Sequence, residues 1–226
     1  MTLAIIMPVL NEAAGIAAAL QALAPLRARG AAVIVVDGGS GDGTADLARP
    51  LSDQVLAASR GRATQMNTGV AAAHGEVLLF LHADTVLPEH ADRLILDGLA
   101  RSGRAWGRFG VRFDDGGLLR LVALMMNTRS RLTGIATGDQ AMFVTRAAFD
   151  SAGGFPPIAL MEDVALSARL KRLCRPLCLA ARVTASGRRW RDNGTLRTIL
   201  LMWLLRLRYF LGADPAHLAR DYGYAP

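Results

Sequence analysis

Carboxylates follow several apolar runs that have the length of strands, and a further pair opens a segment with helical spacing. They are Glu12, Asp37, Asp84, Glu162 and Asp163. Because the carboxyl ends of parallel strands meet at one edge of a sheet, we expect these acids to share one cleft. Carboxylates that lie this close repel one another and raise each other's pKa values. A divalent cation or a set of hydroxyl donors would relieve that repulsion.

Asp84 is the best candidate metal ligand among these acids. It comes just after the apolar run Val77–Leu81 and shortly before Pro88, so it lies past the end of a predicted strand. Magnesium-type ions are usually held by one or two carboxylates together with substrate phosphates. The competing interpretation is that Asp84 caps a helix or forms a turn.

The loop after Asp37 is rich in glycine and contains the sequence GGSGDGT at residues 38–44. It has neither the GxxxxGK[ST] of a P-loop nor an ordered GxGxxG, which argues against a P-loop NTPase and a dinucleotide-binding dehydrogenase. An acid at a strand tip followed by small residues still suits hydrogen bonding to a ribose or a base. A nucleotide therefore remains a candidate ligand.

These residues are carried by alternating strand and helix patterns in the first hundred residues. The predicted strands are Leu3–Met7, Ala31–Val36, Val55–Ala58 and Val77–Leu81, and the predicted helices lie over Ala13–Leu26, from about Thr44, and within Arg60–Gly75. Such alternation predicts an α/β fold with a Rossmann-like, mostly parallel sheet flanked by helices.

The pattern loosens beyond residue 100. It predicts strands at Trp106–Phe113, Ala141–Val144 and Leu177–Thr184, and helices at Leu118–Met126 and from Glu162 to about Leu173. We expect one domain over residues 1–226. Residues 1–100 would form its nucleotide-binding half, 101–195 its acceptor-binding and catalytic half, and 196–226 a C-terminal helical segment.

Positive charge is concentrated in the second half of the chain. Residues 114–226 carry 16 Lys and Arg against 9 acids, whereas residues 1–113 are balanced. Aromatic residues make up only 6% and are not interleaved with the cations, which disfavours a nucleic-acid partner. Residues 196–211 are apolar nearly all round, as in a helix that is buried or lies against lipid. This segment could therefore contact an anionic membrane surface or a second subunit of a homo-oligomer.

Cellular location follows from two weaker observations. Cys174 and Cys178 are too few for a disulfide framework and lack CxxC spacing, so we expect reduced thiols. No signal peptide is visible, and no apolar run approaches the ~20 residues of a spanning helix. We therefore expect a cytoplasmic protein, with peripheral contact to the inner membrane left open by the C-terminal helix.

Taken together, the motifs resemble those of family 2 glycosyltransferases, which have the GT-A fold. The matching segments are PVLNE at 8–12, VVDGGSGDGT at 35–44, LHAD at 81–84, GGF at 153–155 and ED at 162–163. The segments FLHADT at 80–85, GDQ at 138–140 and SGRRW at 186–190 are similar, more narrowly, to a bacterial subgroup associated with radical-SAM and selenodomain proteins. Some members of that subgroup are linked with arsenosugar biosynthesis.

The resemblance implies a role for each matched position on the donor side. Contacts to the base, ribose and sugar would come from Pro8, Glu12, Asp37, Gly39 and Ser40, and the nucleotide and phosphate side would be lined by Arg62, Asn67, His82 and Ala83. Asp84 would hold Mn²⁺ or Mg²⁺ on the diphosphate. His82 replaces the first aspartate of the family's D-x-D motif, so it could donate to a ribose hydroxyl or ligate manganese.

The resemblance also implies the catalytic and acceptor positions. Asp163 matches the general base, with Glu162 beside it, and Asp139 is a rival base. The donor sugar or the acceptor would face Asp139 and Gln140, and the leaving diphosphate or the acceptor would be held by Arg188, Arg189 and Trp190.

The implied activity is metal-dependent transfer, with inversion, of a sugar from a UDP- or GDP-linked donor to a hydroxyl or phosphate of a small-molecule or lipid-linked acceptor. One alternative, a sugar-nucleotide pyrophosphorylase, needs a lysine near the phosphates, and the lone lysine, Lys171, lies in the wrong region. The other alternative is a membrane-peripheral protein that binds nucleotide sugars without turnover, favoured by His82 in the metal motif.

Overall fold

The computed structural model describes residues 1–114 and 116–224, apart from the side chain of Arg189. Its strands are β1 (Leu3–Val9), β2 (Ala32–Asp37), β3 (Gln54–Ala57), β4 (Val77–Phe80), β5 (Thr85–Val86), β6 (Trp106–Phe113), β7 (Met142–Thr145) and β8 (Leu177–Ala185). Its helices are α1 (Ala13–Ala22), α2 (Ala24–Ala28), α3 (Thr44–Ala48), α4 (Arg62–Ala72), α5 (Ala91–Ser102), α6 (Leu118–Thr133), α7 (Arg146–Ser151), α8 (Glu162–Leu173), α9 (Arg188–Asn193), α10 (Thr195–Phe210) and α11 (Pro215–Asp221).

The strands form one sheet in the order β3-β2-β1-β4-β7-β6-β8-β5. The first four neighbours, β3, β2, β1 and β4, are parallel, and β8 is parallel to β6. Strand β7 is antiparallel to both β4 and β6, and β5 is antiparallel to β8. The predicted α/β fold with a mostly parallel sheet is confirmed, and each antiparallel pair includes β7 or β8, from the part of the chain where the sequence pattern loosens.

Strand β4 is the centre of this sheet and is buried on both faces, as its continuous apolar run predicts. Val77 and Leu79 pack into the hydrophobic cluster on one face. Leu78 and Phe80 pack into the cluster on the other face. The residues that follow β4 are therefore held by a strand that cannot shift without disturbing both cores.

Two helix predictions are corrected by the structure. The predicted helix Ala13–Leu26 is divided at Leu23, and Pro25 lies in the first turn of α2. Proline has no N–H to donate to the preceding turn, so it is accommodated at the start of a helix and not inside one. The helix predicted over Leu118–Met126 continues to Thr133. It ends there because Gly134, with φ 72°, supplies the left-handed residue that follows many helices.

The C-terminal helix α10 is amphipathic in its packing. Leu205 and Thr198 are buried, whereas Leu200, Trp203 and Leu207 are more than half exposed. The apolar sequence of α10 therefore covers the domain with one face and leaves an apolar face outside. None of the helices in the described part of the chain has the length and the apolar character needed to cross a bilayer.

Candidate active site

A cleft of about 470 Å³ opens past the ends of β1 and β4. It is bounded on the other side by the start of α8, by α9 and by α10. The predicted site residues that line it are Pro8, Glu12, Arg62, His82, Ala83, Asp84, Asp139, Glu162, Asp163, Arg188 and Trp190. The fold thus brings together residues that are up to 182 positions apart in the chain, counted from Pro8 to Trp190.

Asp37 lies beneath the glycine-rich loop and does not line the cleft. Its carboxylate accepts hydrogen bonds from the backbone amides of Gly39 (3.1 Å) and Ser40 (3.0 Å) and from the Ser40 hydroxyl. Ser40 Oγ in turn accepts from the backbone amide of Asn11 at 2.8 Å. The predicted residues Asp37, Gly39 and Ser40 are therefore joined by hydrogen bonds within the loop after β2. Through Asn11 this loop also holds the turn after β1.

Two further predicted residues also lie outside the cleft wall. Asn67 makes a pair of hydrogen bonds to the backbone of Phe155, with its Nδ2 donating to the carbonyl at 2.8 Å and its Oδ1 accepting from the amide at 3.1 Å. Gln140 is fully buried, and its Oε1 accepts from the Thr137 amide at 3.3 Å. In this structure both side chains hold loops that border the cleft.

The His82–Asp84 segment is fixed by backbone contacts on both sides. Leu81 N donates to Ile6 O at 3.0 Å, and Asp84 O accepts from Ser186 N at 3.2 Å. The second contact joins this segment to the segment that carries Arg188 and Trp190. Asp84 itself is exposed at the mouth of the cleft, where a ligand can reach its carboxylate.

His82 faces the loop that carries Asp139, with Nδ1 3.9 Å from Oδ1 of that carboxylate. Burial and the Arg62 guanidinium lower the pKa of His82, although Asp139 and Asp84 act in the opposite direction. The imidazole is therefore neutral at pH 7. Gly138 makes this approach possible, because a Cβ at that position would lie 2.5 Å from His82 Cε1.

Asp163 is anchored at the start of α8 by two backbone amides. Its Oδ2 accepts from Gly138 N and its Oδ1 accepts from Val164 N, both at 2.7 Å. Met161, which precedes the helix, has a left-handed φ of 70°, an unusual conformation for a side chain of this size. The turn directs the first two residues of α8 into the cleft, where both line the wall.

Glu162, which is buried, and Arg62, which is half-buried, both line the cleft and act on each other through their charges. Burial and the neighbouring Asp163 raise the pKa of Glu162 to about 7, although Arg62 opposes this effect. Burial alone would lower the pKa of Arg62, but the Glu162 carboxylate contributes to raising it above its ordinary value. The Tyr224 ring lies over the Arg62 guanidinium, 5.5 Å from centroid to carbon, at a distance suited to a cation–π contact.

The negative charge of the cleft fits a cation that is shared with an anionic ligand. Burial and Asp84 raise the pKa of Glu12, which indicates that these carboxylates repel one another. In the described residues there is no group of three or more His, Cys, Asp or Glu side chains that could hold a metal alone. Asp84 therefore fits an ion that takes one or two carboxylates and completes its shell with phosphate oxygens.

The segment predicted to hold a diphosphate or an acceptor lies at the opposite wall. Trp190 packs edge-on against Phe113, with ring centroids 5.7 Å apart. Arg188 is exposed on the same short helix, and its charge acts on Glu12 across the cleft. The prediction for Arg189 concerns a side chain that lies outside the described part of the structure.

Sequence reasoning missed several residues that line the cleft. Gln65 Nε2 donates to the carbonyls of Val9 (2.9 Å) and Val36 (2.8 Å), so it ties the ends of β1 and β2 together. Arg206 and Tyr222 reach the cleft from α10 and from the end of α11. The only sequence signal for Arg206 is that it is one of three arginines in the mostly apolar stretch of residues 196–211.

Comparison with known proteins gives a sequence match and several structural ones. The sequence profile described as Glycosyl transferase family 2 matches residues 4–153. No protein of curated function matches the sequence significantly.

Solved structures with the same fold include the following three proteins. S. aureus TarS 1–349, in complex with UDP-GlcNAc, is 18% identical with a TM-score of 0.68 and matches 82% of this chain and 58% of its own. The mannosyltransferase PcManGT from Pyrobaculum calidifontis, with GDP-Man and Mn²⁺, is 20% identical with a TM-score of 0.66, over 98% of this chain and 69% of its own. Glucosyl-3-phosphoglycerate synthase from Mycobacterium tuberculosis, with Mn²⁺, UDP and glucosyl-3-phosphoglycerate, is 19% identical with a TM-score of 0.57, over 82% of this chain and 70% of its own.

These matches confirm the predicted GT-A fold. The chain spans only 58% of the length of the S. aureus TarS structure.

Proposed function

Because this chain belongs to glycosyl transferase family 2, we propose that it transfers a sugar from a nucleotide-diphosphate sugar to an acceptor hydroxyl or phosphate. The observation that carries the proposal is the cleft itself. It combines an exposed carboxylate at a strand end, Asp84, with an anchored carboxylate at a helix start, Asp163. The two groups suit the two halves of such a reaction, the departure of the diphosphate and the activation of the acceptor.

A UDP- or GDP-linked sugar is the proposed donor. The fold relatives whose structures hold UDP-GlcNAc, UDP or GDP-Man support this class of ligand. In this chain the nucleotide would occupy the side of the cleft formed by Pro8, Glu12 and Arg62. Within the family, the segments FLHADT and SGRRW support membership of the radical-SAM and selenodomain-associated subgroup.

Asp163 is the proposed general base. The acceptor oxygen forms a bond to the anomeric carbon as the bond from that carbon to the nucleoside diphosphate breaks. The proton of the acceptor hydroxyl passes to the Asp163 carboxylate, which is held in place by Gly138 N and Val164 N. A single displacement of this kind inverts the anomeric configuration. Asp139, in the facing loop, is the competing base.

Asp84 is the residue proposed to hold Mn²⁺ or Mg²⁺, together with the phosphates of the donor. When bound, such an ion neutralises the charge that develops on the leaving diphosphate. Arg188, from the segment that is hydrogen bonded to the Asp84 backbone, would contribute a second positive charge on the leaving group. The neutral His82 would donate a hydrogen bond to the donor, for example to a ribose hydroxyl.

Titration calorimetry with UDP and GDP, each with and without Mn²⁺, tests the proposal. We expect one nucleotide to bind more tightly when Mn²⁺ is present, and Asp84→Ala to remove that difference. Asp97→Ala, at an exposed acid on α5, is the matched control and should behave as wild type. The proposal fails if neither nucleotide binds, or if Asp84→Ala keeps the full effect of Mn²⁺. Binding without any hydrolysis of UDP- or GDP-sugars would favour the alternative of a binding protein without turnover.

We also propose that the protein contacts an anionic membrane surface through α6 and α10. These neighbouring helices expose large apolar side chains, among them Leu121, Leu124, Leu200, Trp203 and Leu207. They carry no acid and six arginines, of which Arg120, Arg131 and Arg197 are exposed. Exposed apolar surface next to positive charge is what peripheral binding to anionic lipid requires.

Vesicle sedimentation tests this contact. Trp203→Ser should weaken binding to phosphatidylglycerol-containing vesicles by roughly thirtyfold, since a large apolar side chain contributes about 2 kcal/mol on burial. Leu173→Ser, at an exposed leucine on α8, is the control and should have no effect. The membrane contact is refuted if the wild-type protein does not bind the vesicles. Dimers of wild type that Trp203→Ser converts to monomers would instead favour the homo-oligomer.

A further inference from the structure

Three arginines that form no ion pair with a carboxylate of the described residues lie on β6, α6 and α10, and the charges of two of them, Arg108 and Arg206, act on the third, Arg129. Arg108, on β6, is 1% exposed, and its guanidinium donates to Ser130 Oγ (3.0 Å), Phe109 O (3.2 Å) and Asn127 O (3.0 Å). All three acceptors are neutral. Each guanidinium nitrogen of Arg108 therefore has an acceptor, but its positive charge has no ion-pair partner among the described residues and acts on Arg129.

Arg129 on α6 and Arg206 on α10 are different, because they lack hydrogen-bond partners. The Nε and Nη2 atoms of Arg129 and the Nε atom of Arg206 are buried and contact no acceptor among the described residues. No ion pair that the described residues form includes either arginine. Burial and the charge of Arg206 lower the pKa of Arg129 to about 10. A buried cation with unused donors is a costly arrangement that an anion would relieve.

The position of the pair relative to the catalytic carboxylates indicates which substrate it faces. Arg206 lines the cleft, and the carboxylates whose charges act on it are Asp163 and Asp139. The oxygens of Asp163 accept from backbone amides, and no ion pair among the described residues joins Asp163 to either arginine. Arg206 therefore brings an unused donor close to the proposed base, on the cleft wall formed by the C-terminal half of the chain. Arg129 does not line the cleft itself and is the neighbour on which the charge of Arg206 acts.

We propose that Arg129 and Arg206 form an anion subsite and that the acceptor carries a phosphate group near the hydroxyl that receives the sugar. This assignment to the acceptor rests on the proposed function. A phosphate monoester suits the pair better than a carboxylate does. It carries a charge of about −1.5 to −2 at pH 7 with three terminal oxygens, which matches two guanidinium groups in charge and in number of donors. A carboxylate would leave about one positive charge without compensation.

Calorimetric titration with inorganic phosphate, in the presence of a chelator to exclude metal-mediated binding, tests the subsite. Arg129→Met and Arg206→Met should each raise the dissociation constant about tenfold or more, as expected for the loss of a charge-assisted hydrogen bond. Arg197→Met removes an exposed arginine from the same helix, α10, and should leave phosphate binding unchanged. Equal phosphate affinity in wild type and in both buried-arginine variants would overturn the proposal.

Thermal unfolding separates a binding role from a structural one. Without phosphate, Arg129→Met and Arg206→Met should unfold at or above the wild-type temperature, because each substitution removes a buried cation that lacks hydrogen-bond partners. With phosphate, only wild type and Arg197→Met should be stabilised. The subsite is contradicted if both variants have unfolding temperatures far below that of wild type and phosphate still raises these temperatures as much as it does in wild type. The arginines would then serve packing only.

Competition with the donor nucleotide distinguishes this inference from the proposed function. Phosphate should bind with the same affinity when UDP or GDP and Mn²⁺ are saturating, whereas displacement by the nucleotide would assign the arginines to the donor and overturn the acceptor subsite. If neither nucleotide binds to wild type, the proposed function fails, and the phosphate titrations still decide whether the anion site exists.

Two probes distinguish the source of the phosphate group. Glycerol 3-phosphate represents a soluble acceptor, and phosphatidylcholine vesicles containing phosphatidic acid represent a lipid acceptor. Binding of either probe that is lost in both buried-arginine variants supports the subsite and identifies the source. Binding of neither probe, or binding that both variants retain, contradicts it.

Discussion

At the scale of single residues, the carboxylate of Asp163 is held in place by the fold before any substrate binds. Hydrogen bonds from Gly138 N and Val164 N use one lone pair on each oxygen and leave the others free to accept a proton. This combination of fixed position and open acceptor capacity favours Asp163 as the base over Asp139, whose side chain is 44% exposed.

Asp163→Asn should lower kcat by about 10²–10⁴-fold, because an amide cannot take the proton of the acceptor hydroxyl. Nucleotide affinity should change little. Steady-state kinetics with a UDP- or GDP-sugar, together with calorimetry of the nucleotide, would measure both effects, and Asp150→Asn at an exposed acid on α7 is the control. A near-normal kcat in Asp163→Asn together with a large loss in Asp139→Asn would transfer the role of the base to Asp139.

Glu162 should make stability depend on pH. Its pKa is raised to about 7 in the folded protein from an ordinary value of 4.5, so the folded state binds more protons between these two pH values. Stability from this group is therefore fully present below pH 4.5 and is lost as pH rises through about 7. The loss amounts to about 3 kcal/mol at most, by the conversion of pKa differences to free energy.

Urea unfolding of wild type and Glu162→Gln from pH 4.5 to pH 8 would measure this contribution. The free energy of unfolding of wild type should fall relative to that of the variant across the range, because glutamine does not titrate. A difference between the two proteins that stays constant with pH would show that Glu162 titrates alike in the folded and unfolded chains.

At the scale of elements, α4 can lie close to the sheet only because it contains Gly69. A Cβ at this position would be 2.5 Å from Ile6 Cγ2 and 3.0 Å from Val36 Cγ2, on buried side chains of β1 and β2. Gly69→Ala should therefore lower the free energy of unfolding by about 1–3 kcal/mol, as overpacking in a core does.

Gly15→Ala is the matched substitution. Gly15 lies in α1 with nothing within 4 Å of its added Cβ, so alanine should raise stability by about 0.5–1 kcal/mol through its better helix propensity. Chemical denaturation of both variants would measure the contrast. A stability of Gly69→Ala equal to that of wild type would mean that α4 moves away from the sheet at no cost.

At the scale of the whole molecule, the two halves of the chain share one sheet and one core. Strand β4 of the first half pairs with β7 of the second, and Leu79 and Phe143 belong to the same hydrophobic cluster. Unfolding should therefore follow a single transition, with coincident midpoints by far-ultraviolet circular dichroism and by fluorescence of the buried Trp106. Separate midpoints would instead indicate that the predicted nucleotide-binding and catalytic halves unfold independently.

The parts of the fold that local pattern controls were predictable. The apolar run of β4 requires burial on both faces whatever its neighbours are, and Trp106–Phe113 alternates as a strand and is a strand in the structure. Helix α5 was not predicted, although its buried Ile95 and Leu99 are spaced as on one helix face. Its segment also carries polar residues and follows His90, whose left-handed φ of 54° could not be anticipated from residue type.

The sequence alone determined the residue types of the cleft and their order along the chain, because motifs such as LHAD at 81–84 and ED at 162–163 are local. Only the tertiary structure decided which of them meet. It turned Asn67 and Gln140 to loop contacts, and it buried nitrogen atoms of Arg129 and Arg206 without a hydrogen-bond acceptor among the described residues. The physical reason is that burial and hydrogen-bond saturation depend on which elements pack together, and side chains far apart in sequence contribute to both.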